Sequence, residues 1–165
     1  MTWQQQLREM KYSDMEQKTP GAFIASGGRT MKLKPWNDTT ANGLTNCIID
    51  YINYSGIGHA TRINTQGQVR KERVDYFGGF HKDLVRFTPS TTAKGTFDIT
   101  ATVTGRSVKV EVKIGKDIMS KAQLQQQEKE ESAGALCFIA RNMQSFVDWF
   151  KDNFKYQPLS LMANN

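Results

Sequence analysis

The chain has 165 residues, 38% hydrophobic and 23% charged, which is enough for one domain with a sizeable core. No apolar run approaches the roughly 18–20 residues that span a bilayer, and two cysteines without close histidine partners point to neither a disulfide framework nor a structural zinc site. The formal net charge of +6 suits a polyanion, either nucleic acid or an anionic membrane face.

The opening "MTWQQQLREMKYSDMEQK" carries no apolar signal-peptide core, so a cytoplasmic location is the expectation, with no membrane partner. Residues 1–38 read as a polar arm. A short helix from Trp3 to about Lys18 precedes Pro20, Gly21, Gly27, Gly28 and Pro35, which interrupt any long element. A domain over 39–156 follows, with a basic insertion at 68–94 and a tail at 157–165.

From Thr40, "TANGLTNCIIDYINYSG" sets Leu44, Ile48, Tyr51 and Ile52 at helical spacing and stops at Gly56. A strand is expected over Ala60 to Thr65. The basic stretch holds Arg70, Lys71, Arg73, Lys82, Arg86 and Lys94 against Glu72, Asp75 and Asp83. It resists assignment beyond a turn at "YFGGF". It is either a solvated loop or a grip on a phosphate backbone.

In "FDITATV", Phe97, Ile99, Ala101 and Val103 share one face, and Asp98, Thr100 and Thr102 the other. In "VKVEVKI", the valines and Ile114 oppose Lys109, Glu111 and Lys113 in the same way. A type II′ turn at Gly105-Arg106 would join the two strands. It would pair Thr104 with Ser107, set Asp98 across from Lys113 and leave Glu111 diagonal, all on a wet polar face. Such charges are either solvated cross-strand pairs or an oxygen-rich metal site with an adjacent ammonium. The second is the chemistry of metal-assisted phosphodiester attack. Two neighbouring carboxylates should raise the pKa of Lys113, which suits a donor rather than a free base. "SKAQLQQQEKEESAG" reads as a helix with a Ser120–Gln123 capping box and a Gly134 stop. "ALCFIA" reads as a strand buried on both faces, leaving Cys137 inert. "QSFVDWFKDNF" reads as a last amphipathic helix, with Trp149 in the core.

"GTFD", "EVK", the helix entry "SKAQ" and "AGALCFIA" together resemble the PD-(D/E)XK nuclease superfamily, and within it the small VRR-NUC group. The resemblance runs from about Thr40 to Trp149. It implies an α/β fold with a restriction-endonuclease-like core: a mixed four-stranded sheet flanked by helices, in the order α-β-β-β-α-β, plus the C-terminal helix. It implies a metal-dependent deoxyribonuclease using Mg²⁺ or Mn²⁺ and leaving 5′-phosphate and 3′-hydroxyl ends. Asp98, Glu111 and the Val112 carbonyl would be metal ligands, Lys113 the catalytic lysine and Gln123 its helix partner, which doubles as the reciprocal half of the cap. Stand-alone relatives, which include phage and bacterial proteins, suggest branched DNA as substrate, a homodimer, and a bacterial or phage-infected host cell.

The first helix departs from that pattern. Many relatives place a glutamate at its start, whereas here Ala41 or Asn42 stands there, and Asn42 brings an oxygen but no charge. Asn42 is either that replacement or an ordinary helix-start residue. Arg62 is either a phosphate contact or one half of an ion pair. His59 and His81 lack ligand spacing, and Gly78-Gly79 is a weak candidate phosphate nest. Two rival readings stay open: a non-catalytic DNA-binding protein on the same fold, and an interaction protein whose hairpin charges are merely solvated.

Overall fold

The computed structural model describes residues 1–63, 68–76, 80–88 and 93–156; the expected tail at 157–165 and Gly78-Gly79 lie outside them. The chain runs α1 (Trp3–Lys18), α2 (Pro20–Ala25), a short 3-10 turn (Gly28–Thr30), α3 (Ala41–Tyr54) and β1 (Gly58–Arg62). Then come β2 (Gln68–Tyr76), β3 (Phe80–Thr88), β4 (Ile99–Val103), β5 (Arg106–Val112), α4 (Lys121–Ser132), β6 (Leu136–Ala140) and α5 (Met143–Phe154). It is an α/β protein whose four-stranded mixed sheet is ordered β1-β4-β5-β6. The β1–β4 and β4–β5 pairs are antiparallel and β5–β6 is parallel. Among the described residues no helix is long and apolar enough to cross a membrane.

One sheet face carries the core. Ile99, Ala101, Val103, Val108, Val110 and Val112 are buried against Leu44, Ile48, Tyr51 and Ile52 of α3 and against Phe146, Val147 and Phe150 of α5. Each such large side chain stabilises by about 1.5–3 kcal/mol on leaving water. Tyr51 stands edge-on to Phe146 and Phe150, with ring centroids 6.1 and 5.5 Å away. Thr40 caps α3 by accepting the Gly43 N–H, and Gly56, at φ +74°, ends it as expected. Segment 1–38 is more than a polar arm, because Trp3, Leu7 and Met10 of α1 enter the same core.

Three expectations are corrected. First, β1 ends at Arg62 and starts at Gly58, where a Cβ would press on Val103 and Ile52, so glycine lets the strand lie against α3. Second, β6 is half-buried except at Ala140, not buried on both faces. It is an edge strand, and α4, which covers its second side, contributes no buried side chain. Third, the β4–β5 loop is Thr104-Gly105, with φ of +47° and +81°, the signature of a type I′ turn. The register therefore pairs Val103 with Arg106 and Ile99 with Val110, and one step further sets Asp98 opposite Glu111 rather than Lys113. The basic stretch, left open by the sequence, forms a second sheet. In it β2 and β3 pair over their full length, with Arg70 opposite Arg86.

A β-branched residue at positive φ is strained by about 1–2 kcal/mol. Thr104→Asn, which completes an Asn-Gly turn, is expected to raise the thermal midpoint by about 2–4 °C, with no change in far-UV circular dichroism.

Candidate active site

β4 stops hydrogen-bonding one residue short of Asp98, and the Asp98 carboxylate takes over the ladder: Oδ2 accepts the Val112 N–H at 3.0 Å. The Asp98 carbonyl in turn accepts the Ile63 N–H at 2.8 Å, so the residue is pinned from both neighbouring strands. The N–H and C=O of a strand residue lie along the same edge, which sets the Val112 carbonyl beside this carboxylate.

Asp98 is delivered by the turn "KGTFD". Gly95 has φ +87°, and a Cβ there would drive into the Ala122 carbonyl in the first turn of α4. The turn bearing Asp98 and the helix bearing Gln123 thus touch through a position that only glycine fills. Phe97, 2% exposed, anchors the same turn.

Glu111 and Lys113 were expected on a wet face. Instead they are 2% and 6% exposed, covered by the entry to α4. Lys113 Nζ lies 3.1 Å from Glu111 Oε1 and donates to Gln123 Oε1 at 3.2 Å. Gln123 Nε2 closes the ring with a very short bond to Glu111 Oε1. The capping box forms as well: Gln123 Oε1 accepts the Ser120 N–H at 2.9 Å, and Ser120 Oγ accepts the Gln123 N–H at 3.3 Å. Gln123 therefore completes the helix cap and also contacts Lys113 and Glu111. Its amide is oriented by the cap, so the cap also aims it at the carboxylate.

Among the described residues, Glu111 Oε2 is buried without a hydrogen-bond partner. A buried carboxylate oxygen left bare costs on the order of 1–3 kcal/mol or more, which a cation would relieve. Burial, followed by the negative charge of Asp98, pushes the Glu111 pKa above its ordinary value, and the Lys113 ammonium opposes this without cancelling it. For Lys113, burial pulls the pKa down. The bonds and charges of Glu111 and Asp117 outweigh it and leave the pKa raised, so the side chain is an ammonium donor.

Asp98, Glu111 and the Val112 carbonyl are the oxygen donors available to a hard divalent cation. Among the described residues no cluster of three or more His, Cys, Asp or Glu side chains is assembled. Mg²⁺ commonly keeps several waters and needs only one or two carboxylates, so this set fits it.

Asn42 and Arg62, singled out separately from the sequence, meet: Arg62 Nη2 donates to Asn42 Oδ1 at 2.7 Å. Arg62 pairs with Ile99, next to Asp98, so the Arg62–Asn42 pair sits at the same end of the sheet as Asp98. Lys94 is exposed in the turn before Asp98, and Lys71 and Arg73 are exposed on the ribbon. Across that ribbon the backbone pairs Arg70 with Arg86 and Val74 with Lys82. Sequence reasoning missed Asp117, whose Oδ2 lies 3.4 Å from Lys113 Nζ, and Arg141, whose guanidinium donates to the carbonyls of Gly115 and Asp117. Neither had a periodic signal, because both act through the irregular loop between β5 and α4. Cys137 is half-buried, with its thiol pushed up to about 11 by burial and then by Glu131 and Glu130, and is correspondingly unreactive.

No family model matches the chain, and no curated protein matches it.

Gly95→Ala is expected to destabilise the fold by about 2 kcal/mol or more through positive-φ strain and the clash with Ala122, read as a lowered denaturant midpoint. A second expectation concerns pH. A carboxyl whose pKa is raised by folding binds its proton more tightly in the native state, so native stability falls as pH rises through that range. Metal-free protein should therefore lose stability as pH climbs from the acid side of the Glu111 titration to neutrality. Urea midpoints across that window check the sign.

Proposed function

We propose that this protein is a divalent-metal-dependent DNA endonuclease with a restriction-endonuclease-like core of the VRR-NUC kind. The observation that carries the reading is the convergence of Asp98 with the buried, half-satisfied Glu111 carboxylate beside the Lys113 ammonium. The α-β-β-β-α-β order around that convergence, with β2–β3 inserted, supports it.

In this reading Asp98, Glu111 and the Val112 carbonyl hold Mg²⁺ or Mn²⁺, and the bound ion supplies a polarised phosphate and an acidified water. The protein's own groups do the rest. Lys113 donates to a phosphate oxygen and offsets the charge that develops there. Gln123, fixed by the helix cap, orients the Lys113 ammonium and Glu111. Asp117 keeps Lys113 charged. With Asn42 held by Arg62 and uncharged, the acidic set carries two negative charges, which suits one ion better than two. Arg62 and Lys94 lie at the mouth, and the ribbon with Arg70, Lys71, Arg73, Lys82 and Arg86 tracks the phosphate backbone without reading bases. Branched DNA, 5′-phosphate products and a homodimer belong to this reading through resemblance alone.

A panel of single-stranded, duplex, flapped and four-way substrates, with and without divalent ions, tests it. Cutting is expected only with Mg²⁺ or Mn²⁺, and Lys113→Ala should lower the rate by about 10²-fold or more while leaving DNA affinity nearly intact. Asp98→Asn should abolish calorimetric Mn²⁺ uptake. DNA binding that is salt-sensitive, indifferent to chelator and never followed by cleavage would instead favour a non-catalytic binder.

A further inference from the structure

A cavity of about 330 Å³ opens between α1, residues 34–37 and the first half of α3, away from the acidic cluster. Its lining includes Lys11, Lys34, Trp36, Asn46, Cys47 and Asp50. That volume is at the small end of the range for small-ligand sites.

The walls are held in place by the protein itself. Trp36 Nε1 donates to Asp50 Oδ2 at 2.8 Å, which fixes the indole plane. The Asn37 carbonyl packs so closely on Gly43 that a Cβ there would collide with it, and it also receives the Cys47 thiol at 3.7 Å. One residue on, Asp38 Oδ2 accepts the Met143 N–H at 2.9 Å and ties the segment to the start of α5. The Cys47 thiol is pushed up to about 12 by burial, followed by the charge of Asp38, so it is wall rather than nucleophile.

The lining carries two ammonium groups, Lys11 and Lys34, and one carboxylate, Asp50. Lys11 Nζ lies 5.6 Å from the Trp36 ring centroid and 5.9 Å from that of Tyr54. Among the described residues neither Lys11 nor Lys34 is paired with a carboxylate. Asp50 has one oxygen committed to the indole. Two ammonium groups, a fixed aromatic face and the exposed Asn46 amide form a set matched to one ligand chemistry, a phosphate attached to a flat heterocycle. An aromatic face is worth about 1–3 kcal/mol per stacked base, and lysines serve phosphate as point charges.

We propose that this cavity binds a nucleoside-phosphate unit, with the phosphate on Lys11 and Lys34, the base against Trp36 and its edge toward Asn46. The nuclease reading supplies a source for that unit. Asn46 lies one helical turn, about 6 Å, beyond Asn42, which carries Arg62 at the mouth of the acidic site. An unpaired strand would present such units in series. A free nucleotide would use the same groups.

The test is run in chelator, so it requires no cleavage. Wild type, Trp36→Phe and a Lys11→Gln/Lys34→Gln double variant are titrated with inorganic phosphate, dTMP and a thymidine octamer. Tryptophan emission and the anisotropy of a labelled octamer are read, and circular dichroism confirms folding. The expected result is quenching by octamer or dTMP that vanishes in Trp36→Phe, with affinity at least tenfold weaker in the double lysine variant. Quenching by dTMP alone identifies a free-nucleotide site; quenching by the octamer only identifies a strand site. Absence of quenching, unchanged affinity in the lysine variant, or phosphate binding as well as dTMP overturns the proposal. A chain that never cuts DNA can still pass, and an active nuclease can fail, so the two readings fall separately.

Discussion

The Asp98 carboxylate ending the β4–β5 ladder on the Val112 N–H is the contact on which the rest of the site depends. That single bond does what a backbone carbonyl would do in a longer strand, so β4 can diverge there without leaving a buried N–H unpaired. Divergence makes room at the end of the sheet. The same bond holds the carboxylate on the edge that carries the Val112 carbonyl, one rung from Glu111. The upstream cause is the Thr104-Gly105 turn, five residues away, because the turn sets which residues face each other.

The second constraint is electrostatic. Glu111 and Lys113 are buried together, and a buried pair recovers its desolvation only if the remaining donors and acceptors are met. Here one carboxylate oxygen is doubly bonded, by Lys113 and Gln123, and the other is bare. The asymmetry makes the cluster a poor stability device. Placing Gln123 at the third position of a capped helix is economical: the bonds that start α4 also point its amide. Gly95 lets the Asp98 turn lie directly against that helix start, which brings the two halves of the site together.

Much of this was legible in the residues. Alternation over 97–103 and 108–114 exposed both strands and their apolar faces. The helical spacing of Leu44, Ile48, Tyr51 and Ile52, and the Ser120–Gln123 spacing, exposed α3 and the entry to α4. Register was not legible from the faces. Slipping the pair by two residues keeps every apolar side chain on the core side, so only turn chemistry distinguishes the two, and Thr at positive φ is an uncommon choice beside Gly. The burial of Glu111 and Lys113 was equally hidden, since alternation says which face a residue occupies and not what lies on it.

The one-dimensional pattern by itself determined the order of the main-sheet strands and the helices α3, α4 and α5, the apolar side of the central strands and the short set of acidic, amide and ammonium groups worth watching. Local periodicity and capping follow from a few residues at a time, so they survive without knowledge of the fold. Tertiary structure alone decided that Asp98 bonds the Val112 N–H, that Asp117 reaches Lys113, that Asn42 is held by Arg62 and that Trp36 shares a cavity with Lys11 and Lys34. Those are contacts between segments distant in the chain or joined by irregular loops. Their geometry is set by packing and turn closure, which no window of neighbouring residues records.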